Sequence, residues 1–252
     1  IEAGRACDIR RCISCNKGCT DAIQERRFIS CVLNAENGCE NVRSITPADV
    51  KKKVAVIGGG PAGLEAARVA ALRGHSVTLF ERETELGGQL NLACLPPRKS
   101  EMRRATQDLI HAVQCAGVRL CLGCTVTEQQ LLDEKFDAVI VAVGAHNAAP
   151  AIPGKENINV ADAWSVLAGR EQVYGKVAVI GGGLVGSETA ELLAEQGCHV
   201  SVIEMMDKIA AAESTTILPT LMESFKAHGV QQFPGHKVKQ FTTDAVICEN
   251  KD

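Results

Sequence analysis

The chain has 252 residues, 46% of them hydrophobic, and a formal net charge of −3, enough material for one large core or two modest ones. Both charge signs are interspersed without a basic stripe, which argues against nucleic acid or an anionic membrane as a partner. The longest apolar runs are strand-sized and end in glycines, and Ile1 to Arg10 lack the apolar centre of a secretory leader, so the expectation is a soluble, cytoplasmic protein.

The first informative segment is cysteine-rich. Cys12, Cys15, Cys19 and Cys31 follow the spacing Cys-x2-Cys-x3-Cys-x11-Cys, with three thiols inside eight residues. Four soft thiolates on a turn-rich loop suit one inorganic iron–sulfur cluster. Zinc is the rival ion, although structural zinc sites favour two separated CxxC knuckles and only one is present in this segment. Four ordinary core cysteines are the plain alternative. Flanking Arg10, Arg11, Lys17, Arg26 and Arg27 read as solvated surface in preference to partners of the cluster's charge.

Next comes Val54-Ala-Val-Ile-Gly58-Gly-Gly60-Pro61-Ala62-Gly63, a β-branched run that breaks into glycines and continues with alanine and leucine at helical spacing. The pattern predicts a strand, a tight turn and a helix over Leu64 to Leu72, stopped at Arg73-Gly74-His75, then a strand over Ser76 to Phe80 ending at Glu81. Val118 to Leu122 and Asp137 to Val143 are expected as buried strands, the second ending at Gly144. Pro150, Pro153 and Gly154 then mark a domain boundary.

The same strand, turn and helix recur at Val177 to Gly186, 123 residues later, with a helix near Val185 to Glu195 and a strand over His199 to Ile203 ending at Glu204. Both acids stand 23 residues after the first glycine of their copy. In each copy the first glycine permits the turn, the second lets backbone approach a pyrophosphate, and the third lets helix pack on strand. The helix N-terminus then faces the anion with unpaired N–H groups. A carboxylate at the second strand tip accepts hydrogen bonds from ribose hydroxyls, and Glu204 favours NAD over the 2′-phosphate of NADP. One such glycine motif alone is a weak signal, and its duplication at equal spacing makes it a strong one. The last strand is expected over Asp244 to Cys248, and the sequence then stops at Asp252 without a further helix, as if cut short.

With these motifs in hand, the chain resembles the iron–sulfur flavoproteins of the old yellow enzyme superfamily, the group of 2,4-dienoyl-CoA reductase, trimethylamine dehydrogenase and clostridial enoate reductases. The resemblance covers nearly the whole chain and rests on Asp8-Ile-Arg-Arg-Cys-Ile-Ser-Cys-Asn16 with Cys19 and Cys31, on Gly58 to Gly63, on Glu85-Leu-Gly-Gly-Gln-Leu90, on Ala142-Val-Gly144 and on Gly181 to Gly186. It implies an α/β fold with two Rossmann-like dinucleotide-binding domains of the glutathione-reductase type, residues 49–152 and 153–252, behind a loop-rich iron–sulfur module in residues 1–48. It implies a [4Fe-4S] cluster on Cys12, Cys15, Cys19 and Cys31. FAD, or its ADP half, would be held by Gly58, Gly60, Pro61, Ala62, Gly63, Glu81, Arg82, Gly88, Gln89 and Gly144. NADH would be held by Gly181, Gly183, Gly186 and Glu204.

In that family an FMN-bearing TIM barrel precedes the cluster, and no barrel lies in this sequence. The activity implied is an NADH:flavin oxidoreductase that passes electrons from NADH through FAD to the cluster and on to the FMN domain. Departures are Asn34-Ala35, where the family has Asn-Pro, and the missing C-terminal Gly-Asp turn near the flavin ring. The resemblance implies that the substrate-reducing residues belong to the barrel.

Two rival readings stand beside this one. Cys121-Leu-Gly-Cys124 matches the spacing of thiol-disulfide reductases, although no helix dipole follows to lower a thiol pKa. A non-catalytic nucleotide scaffold with structural zinc is the other. Cys94, Cys115, Cys198 and Cys248 are expected as core fillers, and His111 and His228 as surface or capping residues of helices.

Overall fold

The structure is a computed structural model and describes Gly4 and residues 8–250, so the expectations for Ile1 to Arg10 and for the end at Asp252 lie partly or wholly outside it. In chain order the elements begin with α1 (Thr20–Gln24), α2 (Glu40–Arg43), β1 (Lys53–Ile57), α3 (Pro61–Leu72), β2 (Ser76–Phe80), α4 (Leu90–Ala93) and α5 (Ser100–Cys115). They continue with β3 (Arg119–Cys121), α6 (Glu128–Asp133), β4 (Ala138–Val141), α7 (Ala163–Leu167), β5 (Lys176–Ile180) and α8 (Leu184–Glu195). The last are β6 (His199–Ile203), α9 (Leu218–Ala227), β7 (Gln231–Phe233), β8 (His236–Phe241) and β9 (Val246–Asn250). The chain is α/β, as expected, and packs as two compact units: residues 1–14, 25–94 and 99–145 form one, and residues 15–24, 95–98 and 146–252 the other. Among the described residues no helix is long and apolar enough to cross a membrane.

The first unit is built on a parallel sheet of order β3-β2-β1-β4, with Val54 opposite Val77 and Ala138. Parallel strands need helical crossovers, and α3 supplies the one from β1 to β2. It starts at Pro61, three residues before the expected Leu64, because proline at the first helical position has its φ preset and no N–H to satisfy. Its Leu64 and Ala67 are fully buried with Val56, Leu79 and Val113. Full burial of each larger aliphatic side chain contributes roughly 1.5–3 kcal/mol.

The expectation that 137–143 forms a buried strand is corrected. The strand spans only Ala138–Val141, and Val139, Ile140 and Val141 are 44%, 36% and 68% exposed. The cause is position: β4 is an edge of its sheet. An apolar run reports β propensity without reporting whether a neighbour covers it. The other edge, β3, is likewise only partly buried and is shorter than the expected 118–122.

The second unit repeats the plan with a parallel sheet of order β5-β6-β7 and α8 as the crossover. Ala190, Leu193, Val200, Val202, Leu221 and Phe225 form its core, with Phe225 fully buried. β8 and β9 make an antiparallel pair with an irregularity between Val238 and Gln240, and β9 lies two residues beyond the strand expected at 244–248. The Pro153-Gly154 punctuation is strapped to β8, since Phe241 N–H donates to Pro153 O at 2.9 Å and Gly154 holds φ +81°.

Long-range polar contacts fix the early segment. In the second unit, Asp21 is buried and accepts from Ser214 Oγ at 3.0 Å and Thr215 Oγ1 at 2.9 Å. In the first, Arg11 donates through its backbone N, Nε and a terminal guanidinium N to both oxygens of Asp108 on α5, at 3.1, 3.0 and 2.5 Å. That guanidinium holds the Asp108 carboxyl below its ordinary pKa. A depressed carboxylate stabilises the fold above its unfolded-state pKa, about 3.9, and that stabilisation is lost as pH falls through the folded value. Asp108→Asn is therefore expected to lower the melting temperature at pH 7, with the gap from wild type closing below about pH 4. Thermal melts across pH check this; a gap that persists in acid contradicts it.

Candidate nucleotide and metal sites

The two glycine turns are congruent. In the first unit Gly58 N–H donates to Phe80 O at 2.8 Å, and in the second Gly181 N–H donates to Ile203 O at 2.8 Å. Gly58 and Gly181 hold φ of +108° and +97°, a region that favours glycine. The helices then begin with Leu64 N–H to Gly60 O and Ser187 N–H to Gly183 O, each 2.9 Å. Pro61 and Ala62 open α3, as Leu184 and Val185 open α8.

Each glycine has its own physical reason. A Cβ added at Gly63 would stand 1.8 Å from Gly58 O, and one at Gly186 would stand 1.8 Å from Gly181 O, so helix and strand meet only through glycine. Gly60 and Gly183 are different. Their φ values are −76° and −67° with extended ψ, which any residue adopts. An added Cβ would come no nearer than 3.9 Å, to Gly88 Cα, at Gly60, and would meet nothing within 4 Å at Gly183. Neither backbone strain nor internal packing requires a glycine there. The remaining reason is close approach of an external group to the backbone at the helix N-terminus, which fits a pyrophosphate.

The acids behave alike. Glu81 is buried; its Oε2 accepts from Gly59 N–H at 2.5 Å and its Oε1 from Glu83 N–H at 2.9 Å. Glu204 is equally buried, and its Oε2 accepts from Gly182 N–H at 2.6 Å and its Oε1 from Met206 N–H at 2.7 Å. Each carboxylate is thus clamped between its glycine turn and the chain after its strand. A carboxylate has about four lone-pair sites, so two acceptor positions remain for ribose hydroxyls. Gly88, at φ +53°, lies against Gly60, and a Cβ on it would be 2.9 Å from Gly60 Cα. Gln89 Nε2 donates to Ala145 O at 3.0 Å beside Gly144. The structure therefore brings Gly58, Gly60, Gly63, Glu81, Gly88, Gln89 and Gly144 together in one unit, and Gly181, Gly183, Gly186 and Glu204 together in the other. Arg82 stands apart, exposed and paired with Glu83.

Cys121 and Cys124 are free thiols of intermediate burial. Their backbone has a structural task, because Glu81 N–H donates to Cys121 O and Cys124 N–H to Glu81 O, both at 2.9 Å. The CxxC turn thereby holds the acid's strand tip in place.

Cys12, Cys19 and Cys31 are exposed and Cys15 is intermediate, all four as free thiols. Their exposure rules out the reading of four core cysteines. Ser14 N–H points to Cys12 Sγ at 3.2 Å, and Ser14 and Asn16 adopt positive φ of 54° and 57°. Such strain persists where a loop is over-determined by function or packing, and an N–H directed at sulfur is a bond a ligating thiolate accepts. Thiols of this kind are the soft donor type that an iron–sulfur cluster takes. Of the flanking cations, Arg10, Arg11, Lys17 and Arg27 pair with Glu65, Asp108, Glu213 and Glu25 in turn. Of the expected core cysteines, Cys94 and Cys198 are buried, whereas Cys115 is exposed and Cys248 only partly covered.

The pyridine nucleotide-disulphide oxidoreductase family matches residues 52–252. A bilirubin reductase of Mediterraneibacter gnavus is 58% identical over 252 residues, covering 100% of this chain and 39% of the relative. An NADH oxidase of Thermoanaerobacter brockii is 40% identical over 255 residues, covering 99% and 39%. Among solved structures, a 2-naphthoyl-CoA reductase aligns with a TM-score of 0.91 at 28% identity, over 99% of this chain and 38% of that one. The chain spans about two fifths of the length of the relatives it matches. On this footing the chain belongs to the pyridine nucleotide-disulphide oxidoreductase family, within the old-yellow-enzyme-like flavoprotein branch whose nucleotide-binding part it represents.

Proposed function

We propose that the chain is the nucleotide-binding and electron-relay part of a flavin-dependent oxidoreductase. Residues 49–152 hold FAD, residues 153–252 hold NADH, and Cys12, Cys15, Cys19 and Cys31 in residues 1–48 ligate a [4Fe-4S] cluster. An FMN-bearing barrel, outside this sequence, is the partner that meets the organic substrate. The carrying observation is the pair of congruent turns, each with a glycine that its own fold does not require.

When bound, the nicotinamide and flavin supply hydride transfer and the cluster supplies single-electron transfer. The chain supplies binding and orientation. Backbone N–H groups at the N-termini of α3 and α8 face the pyrophosphates without any lysine. Glu81 and Glu204 fix the adenosine riboses, and the buried Glu204 carboxylate repels a 2′-phosphate, which favours NADH over NADPH. Relatives named bilirubin reductase and NADH oxidase support a reductive reaction for the whole protein.

Anaerobic purification is expected to give coloured protein with about four iron and four sulfide per chain alongside flavin. Cys15→Ser is expected to lose the iron and sulfide while flavin stays. Colourless protein with stoichiometric zinc overturns the cluster assignment and supports a scaffold. Two newly reduced thiols after NADH addition would instead favour the Cys121/Cys124 reductase.

A further inference from the structure

Within the first unit, three metal-ligating side chains converge away from the glycine turn and from the cysteine quartet. His111 and Cys115 are four residues apart on α5 and so share one helix face. Asp8 joins them from the start of the chain: His111 Nε2 lies 3.2 Å from Asp8 Oδ1 and 3.4 Å from Cys115 Sγ. One ligand atom from each residue falls within 4.8 Å of the other two. They line a cavity of about 220 Å³ with Arg68, Asp108 and Ala112. The two further charges there are already compensated, Arg68 by Glu65 at 2.7 and 2.8 Å and Asp108 by Arg11.

We propose that Asp8, His111 and Cys115 form a mononuclear site for zinc or a zinc-like divalent ion, with water as the fourth ligand. The spacing supports this. Zinc bonds of about 2.3 Å to sulfur and 2.0–2.1 Å to nitrogen and oxygen, at tetrahedral angles, place nitrogen about 3.5 Å from sulfur and about 3.3 Å from oxygen. The observed separations are 3.4 and 3.2 Å. Two of the three separations thus match those a tetrahedral ion imposes, the third lies within 4.8 Å, and the thiol, imidazole and carboxylate set matches its borderline softness. A proton-relay triad is the competing account. It requires base and acid on opposite ring nitrogens, whereas Asp8 and Cys115 both make their nearest approach to Nε2. On binding, the Cys115 thiol proton passes to solvent as the sulfur–metal bond forms, so one proton is released per ion. The site is independent of the function proposed above and staples the segment at Asp8 to α5.

The test titrates zinc chloride into cluster-containing wild type, Cys115→Ser and His111→Ala, with bound zinc counted after desalting and cobalt chloride as the spectroscopic probe. All three side chains are at least partly exposed, so both variants are expected to keep the wild-type circular dichroism. Wild type is expected to retain one more zinc than Cys115→Ser and to show a sulfur-to-cobalt charge-transfer band that the variant lacks. Loss of His111 is expected to weaken binding by at least about tenfold. Zinc should raise the melting temperature of wild type alone. Equal zinc content and equal melting shifts in all three proteins overturn the site. So does zinc that survives Cys115→Ser and disappears with Cys15→Ser, which would seat the ion on the early cysteines.

Discussion

Gly183→Ala is expected to weaken NADH binding by roughly 10- to 100-fold, the loss of one or two charge-assisted hydrogen bonds from backbone N–H to phosphate, while leaving the melting temperature near that of wild type. The asymmetry follows from the space round each glycine. An alanine Cβ at 183 meets no protein atom within 4 Å and sits on extended backbone, so the fold has no reason to resist it. On the proposed function the methyl would instead occupy the space through which a pyrophosphate approaches the first turn of α8. Gly186→Ala is the counter-experiment. Its Cβ would lie 1.8 Å from Gly181 O, and α8 must move off β5 to relieve that overlap. Overpacking of this kind costs about 1–3 kcal/mol or more, so this variant is expected to lose both stability and NADH affinity. The first turn repeats the contrast, with Gly60→Ala tolerated by the fold and Gly63→Ala not. Calorimetry of ligand binding beside thermal melts separates the two effects. A Gly183→Ala protein that binds NADH normally would remove the pyrophosphate from this turn.

The acids carry the second large effect. Glu204 accepts the N–H groups of Gly182 and Met206 from a buried position, so Glu204→Ala leaves both donors unsatisfied, at about 1–3 kcal/mol for each that stays dry. The glycine turn loses the clamp that shapes it, and the repulsion against a 2′-phosphate disappears with the charge. NADH affinity is expected to fall at least about tenfold and the preference for NADH over NADPH to narrow sharply. Glu204→Gln separates the contributions, because its amide oxygen still accepts one N–H while the charge is gone. It should relax the NADPH discrimination with a smaller loss of stability. An unchanged cofactor preference in both variants would show that the carboxylate does not meet the ribose.

The parts of the molecule legible from sequence are those whose physics is local. β1, β2, β5 and β6 follow from short β-branched runs that end in glycine, and the turn geometry follows from glycines that let strand and helix meet closely. What the pattern does not carry is the neighbour across space. The run at Val139 to Val141 has the composition of a buried strand and lies exposed, because edge or centre is decided by strand order. Residues 15–24 pack with the second unit through Asp21, whose partner Ser214 is 193 residues away. Cys115 and His111, read singly as a core filler and a surface residue, acquire metal-ligand geometry only when Asp8 arrives from 103 residues away. The i to i+4 spacing of His111 and Cys115 is the one local signal that marks them.

The proposed function requires NADH at the second turn to reduce FAD at the first. Anaerobic addition of NADH to protein loaded with FAD tests it most directly, with the flavin absorbance followed in wild type and in Gly183→Ala. Rapid bleaching in wild type, and slow bleaching in the variant that is restored at high NADH, is the expected result. Tightly bound FAD that NADH leaves oxidised in wild type would contradict the account.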